Sequence, residues 1–226
     1  MGIEIARWMG GSLTVCALMA ASGAAYALDE SDVILRVRAI DVVPNDSSST
    51  VTSAAGTAVP GSEAGVNRVA GVEADLSRMF IASSVGLELI TATTSHTVAD
   101  NGAAGGAFGP AGHVTGVLPP TFTLQYHFRP GAGIRPYLGA GINYTVFYKE
   151  SSAVDGTALK IDNSVGAAAQ AGLDWSINKR WFANLDLKYI DTSNTATLSN
   201  AAGAAAYTTD VKIDPWVLGL GVGAMF

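Results

Sequence analysis

The chain reads as an all-β protein: an eight-stranded antiparallel transmembrane β-barrel with short periplasmic turns and long extracellular loops. Three observations lead there. The 226 residues end on Trp216 to Phe226, which puts a large or apolar residue at every second position and closes on an aromatic; lipid-facing and lumen-facing positions alternate in this way along a barrel strand. Hydrophobic residues make up 49% of the chain, yet beyond the N-terminal segment no apolar run approaches the 18 or so that a membrane helix needs. Apolarity spread at period two suits a closed barrel, which with the helix is the only structure that satisfies every backbone group in lipid. Finally, the connections between alternating segments are short and long in turn, as in outer-membrane barrels.

The N-terminal segment reads as an export signal. Arg7 precedes an apolar run from Trp8 to Ala21, and Ala25-Tyr26-Ala27 supplies the small-x-small cleavage pattern, so residues 1–27 form the leader and 28–226 the barrel domain. A single membrane helix over Trp8 to Ala27 is the competing reading, at nearly the 20 or so residues a bilayer takes; the cleavage pattern and the lack of a basic stop-transfer flank argue against it. Cys16 is the only cysteine and lies within the leader, so the exported domain has no disulfide or thiol chemistry.

Eight strands follow by alternation. Val33, Leu35, Val37 and Ala39 oppose Arg36 and Arg38 in the first; Val72, Ala74 and Leu76 oppose Glu73 and Asp75 in the second. A tight turn near Arg78-Met79 leads to the third, where Val85, Leu87 and Leu89 oppose Gly86, Glu88 and Ile90. Phe122, Leu124, Tyr126 and Phe128 form the apolar face of the fourth, against Thr121, Thr123, Gln125 and His127. The fifth sets Leu138 to Val146 against Tyr137 to Thr145, and the sixth sets Val165 to Trp175 against Gly166 to Ser176, each at every second position. In the seventh, Trp181, Ala183, Leu185, Leu187 and Tyr189 oppose Phe182, Asn184, Asp186 and Lys188. The terminal stretch is the eighth.

Pro44 to Val66, Ser95 to Gly116, Lys149 to Lys160 and Ser193 to Thr208 are long and rich in Ala, Gly, Ser and Thr. They read as the extracellular loops, which leaves both ends of the barrel domain in the periplasm. Phe80, Phe128, Trp175, Trp181 and Phe226 fall beside the short turns as an aromatic girdle. Alternation alone does not say which face points inward, and a soluble lipocalin-like barrel would bury its apolar side. The girdle and Phe226 decide for the inverted arrangement, with lipid outside and Arg36, Arg38, Glu73, Glu88, Asp174, Asp186 and Lys188 inside.

Further segments carry a family resemblance: Pro119-Pro120-Thr121 with Gln125 to Phe128, Arg135-Pro136-Tyr137-Leu138-Gly139-Ala140-Gly141-Ile142-Asn143-Tyr144-Thr145, Gly172-Leu173-Asp174-Trp175, Arg180-Trp181-Phe182, Tyr189-Ile190-Asp191 and Asp214-Pro215-Trp216-Val217. In this order they resemble the OmpW family, from about Val33 to Phe226. The resemblance implies an outer-membrane barrel with a narrow, partly apolar channel for passive uptake of small hydrophobic molecules, alkanes in one branch, that leave sideways through the wall. It also implies a constriction between an aliphatic side chain on the third strand and an aromatic one on the seventh. Ile90 falls at the first position; Lys188 falls at the second and departs from the pattern.

That departure matters because an ammonium group in a dry lumen is costly unless a carboxylate pairs with it. Asp186 or Glu88 is the expected partner. A bland reading makes Arg36, Arg38, Glu73, Glu88, Asp174, Asp186 and Lys188 a paired polar plug, since lumen charges of both signs survive by pairing and hydrogen bonding. Pro119 and Pro120 also admit two readings. Neither donates to a sheet ladder, so they mark either a lateral opening in the wall or only the extracellular end of a strand.

The function class follows as a passive channel for small hydrophobic solutes, with a structural or surface-receptor barrel of sealed lumen as the alternative. The expected partners are outer-membrane lipid and lipopolysaccharide, the solutes, and the barrel assembly machinery reading Phe226. A formal charge of −6 argues against nucleic acid. No enzyme, metal or cofactor is expected: Glu73 and Asp75 beside two arginines read as salt-bridge partners, and His96, His113 and His127 are too dispersed for a metal cluster. Gly219-x-Gly221-x-x-Ala224 matches a dinucleotide fingerprint only formally, because no helix follows it.

Overall fold

A computed structural model describes residues 33–62, 64–80, 84–100, 113–128, 133–152, 158–199 and 205–226. The segment read as a leader, residues 1–27, lies outside them, as do 81–83 and 129–132 beside the short turns and the tips of the last three long connections. Four barrel strands are continuous: β1 (Val33–Val43), β2 (Val69–Phe80), β3 (Val85–Asp100) and β5 (Ile134–Ser152). The other four are each interrupted once. They are β4 (His113–Leu118 and Thr121–His127), β6 (Ala158–Ile161 and Ser164–Ser176), β7 (Trp181–Ile190 and Ser193–Ser199) and β8 (Ala205–Lys212 and Trp216–Met225).

Every strand pairs antiparallel with its neighbours in sequence. β1 also pairs with β8, from Ile34 opposite Met225 to Val43 opposite Trp216. The ring is closed, and closure removes the edges that lipid could not solvate. The first long connection folds back onto the barrel, with Ser47–Ser48 and Thr52–Ser53 pairing with β8 and Ala64–Val66 pairing with β3.

Much of what composition marks as long loop is strand. Ser95 to Asp100 continues β3, and residues from His113 onward form the upper β4. Lys149 to Ser152, Ser193 to Ser199 and the outer part of β8 extend the wall in the same way. Small residues there mask the alternation without preventing ladder hydrogen bonds. Arg78 and Met79 likewise lie within β2, opposite Leu87 and Gly86, and the ladder runs on to Phe80 opposite Val85, so the expected turn at Arg78-Met79 is strand. The strand runs on because Met79 continues the inward row of Asp75 and Ser77, and it is buried at the periplasmic end.

The faces divide as the alternation requires. Leu35, Val37, Val72, Leu87, Phe122, Leu124, Leu138, Ile142, Leu185, Leu187, Leu218 and Leu220 point outward, with the girdle residues Phe80, Phe128, Trp175, Trp181 and Phe226 below them. The lumen is layered. Ile34, Met79, Phe182 and Met225 form an apolar cap at the periplasmic mouth. Charged and amide side chains fill the next layer, and Ile40, Ala92, Ala168, Ile190 and Val217 form an apolar collar above them. Reading inward positions along β1 crosses all three layers: Ile34, Arg36, Arg38, Ile40.

The inward row of β8 is Gly219, Gly221 and Gly223, and it is what lets the arginines lie flat. A Cβ at Gly221 would come within 2.0 Å of the Val37 carbonyl oxygen, and one at Gly219 within 2.9 Å of Arg38 Cδ. Close approach of backbone and long side chains therefore requires glycine here.

Candidate functional site: the lumen and its wall

Arg36 on β1 is fully buried and sits at the centre of the plug. Its Nε and Nη2 donate to the two carboxylate oxygens of Asp174 on β6, at 3.3 and 3.0 Å. Its Nη1 donates to Asp75 at 3.2 Å, Ser77 at 3.0 Å and Glu88 at 3.4 Å. The planar fork of a guanidinium suits such multiple recognition. Arg38 donates through Nε to Asn184 Oδ1 at 2.6 Å and through Nη1 to Glu73. Its Nη2 lies 2.7 Å from Asp75 Oδ2 as an ion pair, without hydrogen-bond geometry.

The remaining carboxylates are satisfied too. Glu88 Oε2 accepts from Thr123 Oγ1, Gln125 Nε2 and Gln170 Nε2 at 2.9, 2.6 and 2.7 Å. Asp186 accepts from Tyr137 Oη at 2.6 Å, and Asn184 Nδ2 donates to Asp174 at 2.8 Å. Arg135 adds a bond to Asp174 at 3.2 Å. The structure therefore joins Arg36, Arg38, Glu73, Glu88, Asp174, Asp186 and Lys188 in one network with Asp75, the expected salt-bridge partner of the arginines, and adds Arg135, Tyr137, Gln125, Gln170 and Asn184. The additions lie on the polar faces visible in the sequence, but alternation gives a face and no partner.

Lys188 is 2% exposed. Its ammonium donates to Asp186 Oδ1 at 2.6 Å and Glu73 Oε1 at 2.7 Å. Of the two expected partners, Asp186 is correct and Glu88 is not. Glu88 lies deeper, engaged with the amides of β4 and β6, and Glu73 on β2 takes its place.

Above Lys188 and Glu73 opens a cavity in which the centre of a water molecule could range over about 90 Å³. Its floor is that ion pair. Its walls are mostly aliphatic: Ile40, Ile90, Ala92, Val117, Ile190 and Val217. Ile90 on β3 and Lys188 on β7 come from opposite sides of the ring and both line it.

Pro119 and Thr121 also border the cavity. Here the β3–β4 ladder stops at Ile90 opposite Thr121 and resumes at Thr94 opposite Val117. The stretch between, Thr91 to Thr93 against Leu118 to Pro120, carries no ladder pairs. On its other side β4 stays tied to β5, with Tyr144 N donating to the Pro120 carbonyl at 2.9 Å. Just above, the Tyr148 ring of β5 covers Gly116 from outside and its hydroxyl meets Thr93 Oγ1 at 2.6 Å. Pro119 and Pro120 thus sit at an unzipped stretch of wall, between paired β4 segments on both sides.

The OmpW family model matches residues 29–226. Outer membrane protein W of Vibrio cholerae serotype O1 is 39% identical over 224 residues, covering 94% of this chain and 99% of the relative. The crystal structure of OprG from Pseudomonas aeruginosa superposes with a TM-score of 0.78 at 30% identity, over 89% of this chain and 97% of that one. The solid-state NMR structure of AlkL in lipid bilayers shares the fold at a TM-score of 0.66 and 18% identity, over 100% of this chain and 97% of that one. An inverted barrel, an aromatic girdle and relatives of this kind place the protein in the bacterial outer membrane, and the chain belongs to the OmpW family.

Proposed function

We propose that the protein is a passive channel for small hydrophobic molecules, which enter from the extracellular side and leave laterally through the wall between β3 and β4. One observation carries the reading: an aliphatic cavity ends on a charged floor and meets the unpaired stretch at Pro119 and Pro120. A greasy solute moving down the lumen meets Lys188 and Glu73, whose desolvated ion pair offers it nothing. Ile90, Ala92 and Pro119 line the side of the cavity at the unpaired stretch, which is the exit this reading assigns. Ile90 then lines the turning point, and Lys188 closes the straight path.

The paired plug equally supports the sealed lumen of a structural or receptor barrel, so the test has to separate the two. The double substitution Pro119→Ala with Pro120→Ala restores two backbone donors and lets the ladder extend. Folding, read as heat-modifiable migration, is expected to hold. Uptake of a hydrophobic solute by cells expressing the variant is expected to fall toward that of empty-vector cells. Undiminished uptake would make the prolines a mere strand interruption, and uptake no greater than the empty vector in wild type would favour the sealed barrel.

A further inference from the structure

One group in the cavity does not fit a purely apolar cargo. Asn194, on the outer segment of β7, is 4% exposed, yet among the described residues neither its Nδ2 nor its Oδ1 has a hydrogen-bond partner. Thr192, two residues below, is 5% exposed and its Oγ1 is also without a partner. Both residues line the cavity. A buried amide left unpaired costs free energy, and two unsatisfied groups side by side in one cavity are uncommon among buried polar atoms.

The opposite wall shows the contrast. β3 stands across the ring from β7, and it too sends polar groups into the cavity, Thr94 and His96. Those are internally satisfied. His96 Nδ1 lies 3.2 Å from the Asn67 carbonyl oxygen, which only accepts, so Nδ1 carries the proton. Nε2 then accepts from the Thr94 hydroxyl at 2.9 Å. Among the described residues lining the cavity, the β7 side is the one that presents open donors and acceptors.

We infer that Asn194 and Thr192 form a head-group site for an amphiphile: a short alkyl chain bearing one neutral group that both donates and accepts hydrogen bonds, as a hydroxyl or primary amide does. The inference rests on the channel reading and names its cargo. A hydroxyl donates to Asn194 Oδ1 while accepting from Nδ2 or Thr192, and the chain lies among Ile40, Ile190 and Val217. A carboxylate cannot donate to Oδ1, and the cation that could hold it, Lys188, is already engaged by Glu73 and Asp186. An alkane leaves the polar pair unsatisfied. The cavity has room for on the order of six waters, which suits a chain of about six carbons.

The test uses the full barrel in lipid nanodiscs, with the Asn194 side-chain amide resonances reporting the head group and the methyl resonances of Ile40, Ile190 and Val217 reporting cavity occupancy in wild type and variants alike, during titration with 1-hexanol, hexanamide, hexane and hexanoate. 1-Hexanol and hexanamide are expected to shift the Asn194 NH2 signals saturably, with hexane and hexanoate leaving them in place. Asn194→Leu is expected to weaken 1-hexanol binding about 5- to 10-fold, the value of one or two hydrogen bonds, with hexane binding retained. Thr192→Val, nearly isosteric, is expected to weaken it several-fold and guards against a folding defect in the first variant. Equal binding of 1-hexanol to wild type and both variants, or shifts confined to other residues, would overturn the head-group site while leaving the channel intact. Failure of hexane and 1-hexanol alike to enter the cavity would overturn the channel reading as well.

Discussion

At the scale of single residues, Lys188 shows most clearly what charge does in this lumen. It stands where the family resemblance implies an aromatic, and it survives because Glu73 and Asp186 hold it at 2.7 and 2.6 Å. Lys188→Met removes the ammonium and leaves two buried carboxylates facing each other. Breaking a buried pair from one side costs about 3–5 kcal/mol, and urea titration of the folded barrel in lipid vesicles is expected to show a loss of that order. Replacing Glu73, Asp186 and Lys188 together by apolar residues is expected to cost less, since neither the ammonium nor its two carboxylates is left behind and Arg38, which also holds Glu73, keeps Asp75 and Asn184. The sequence made the charges legible, because each sits at an inward position of an alternating strand. Beyond Glu73 and Asp75 for the arginines and Asp186 for Lys188, it left the partners open: Arg36 and Asp174 are 138 residues apart, and only barrel closure brings them together. Asn194 and Thr192 escaped because two small polar residues in a Ser/Thr-rich stretch resemble a loop.

At the scale of the strand, β7 carries the inside-out assignment. Leu185 and Leu187 point outward, each more than 40% exposed, while Phe182, Asn184, Asp186 and Lys188 between them are buried. Arginine at Leu185 or Leu187 is expected to destabilise the barrel by about 2–4 kcal/mol where the position lies near the bilayer midplane, measured by the same urea titration. A cost near zero at both positions would place them away from lipid. The alternation that exposes this face ends at Tyr189, yet β7 resumes at Ser193 and its outer segment pairs with β8 from Ser193 opposite Lys212 to Leu198 opposite Tyr207. Residues such as Thr195 and Thr197 have no lipid to face there, so hydropathy stops reporting strand while backbone pairing continues. This is why the spanning part of every strand was legible and the extracellular extensions were not.

At the scale of the whole molecule, everything depends on the ring closing along the β1–β8 seam, and Phe226 secures its periplasmic end. Phe226 N donates to the Val33 carbonyl at 2.9 Å and Val33 N donates back at 3.3 Å, which completes the β1–β8 seam at its periplasmic end. The Phe226 ring lies under the Arg180 guanidinium, 4.3 Å from its centre, at the level of the girdle, where an aromatic is favoured. Seam and girdle thus share one side chain. Deleting Phe226 removes the terminal pair of hydrogen bonds, exposes the backbone of Val33 at a newly frayed edge, and takes away the aromatic by which the assembly machinery is expected to read the strand. Ala224, two residues before the end, is small and 3% exposed, so it offers little to replace that signal. The deletion is expected to lower the heat-modifiable, folded fraction in outer-membrane preparations. Phe226→Tyr, which keeps ring and backbone, is expected to assemble as wild type. Because Phe226→Ala keeps the seam hydrogen bonds and loses only the ring, its folded fraction separates the two contributions: a yield near wild type assigns the role to the backbone pair, and a yield near the deletion assigns it to the aromatic.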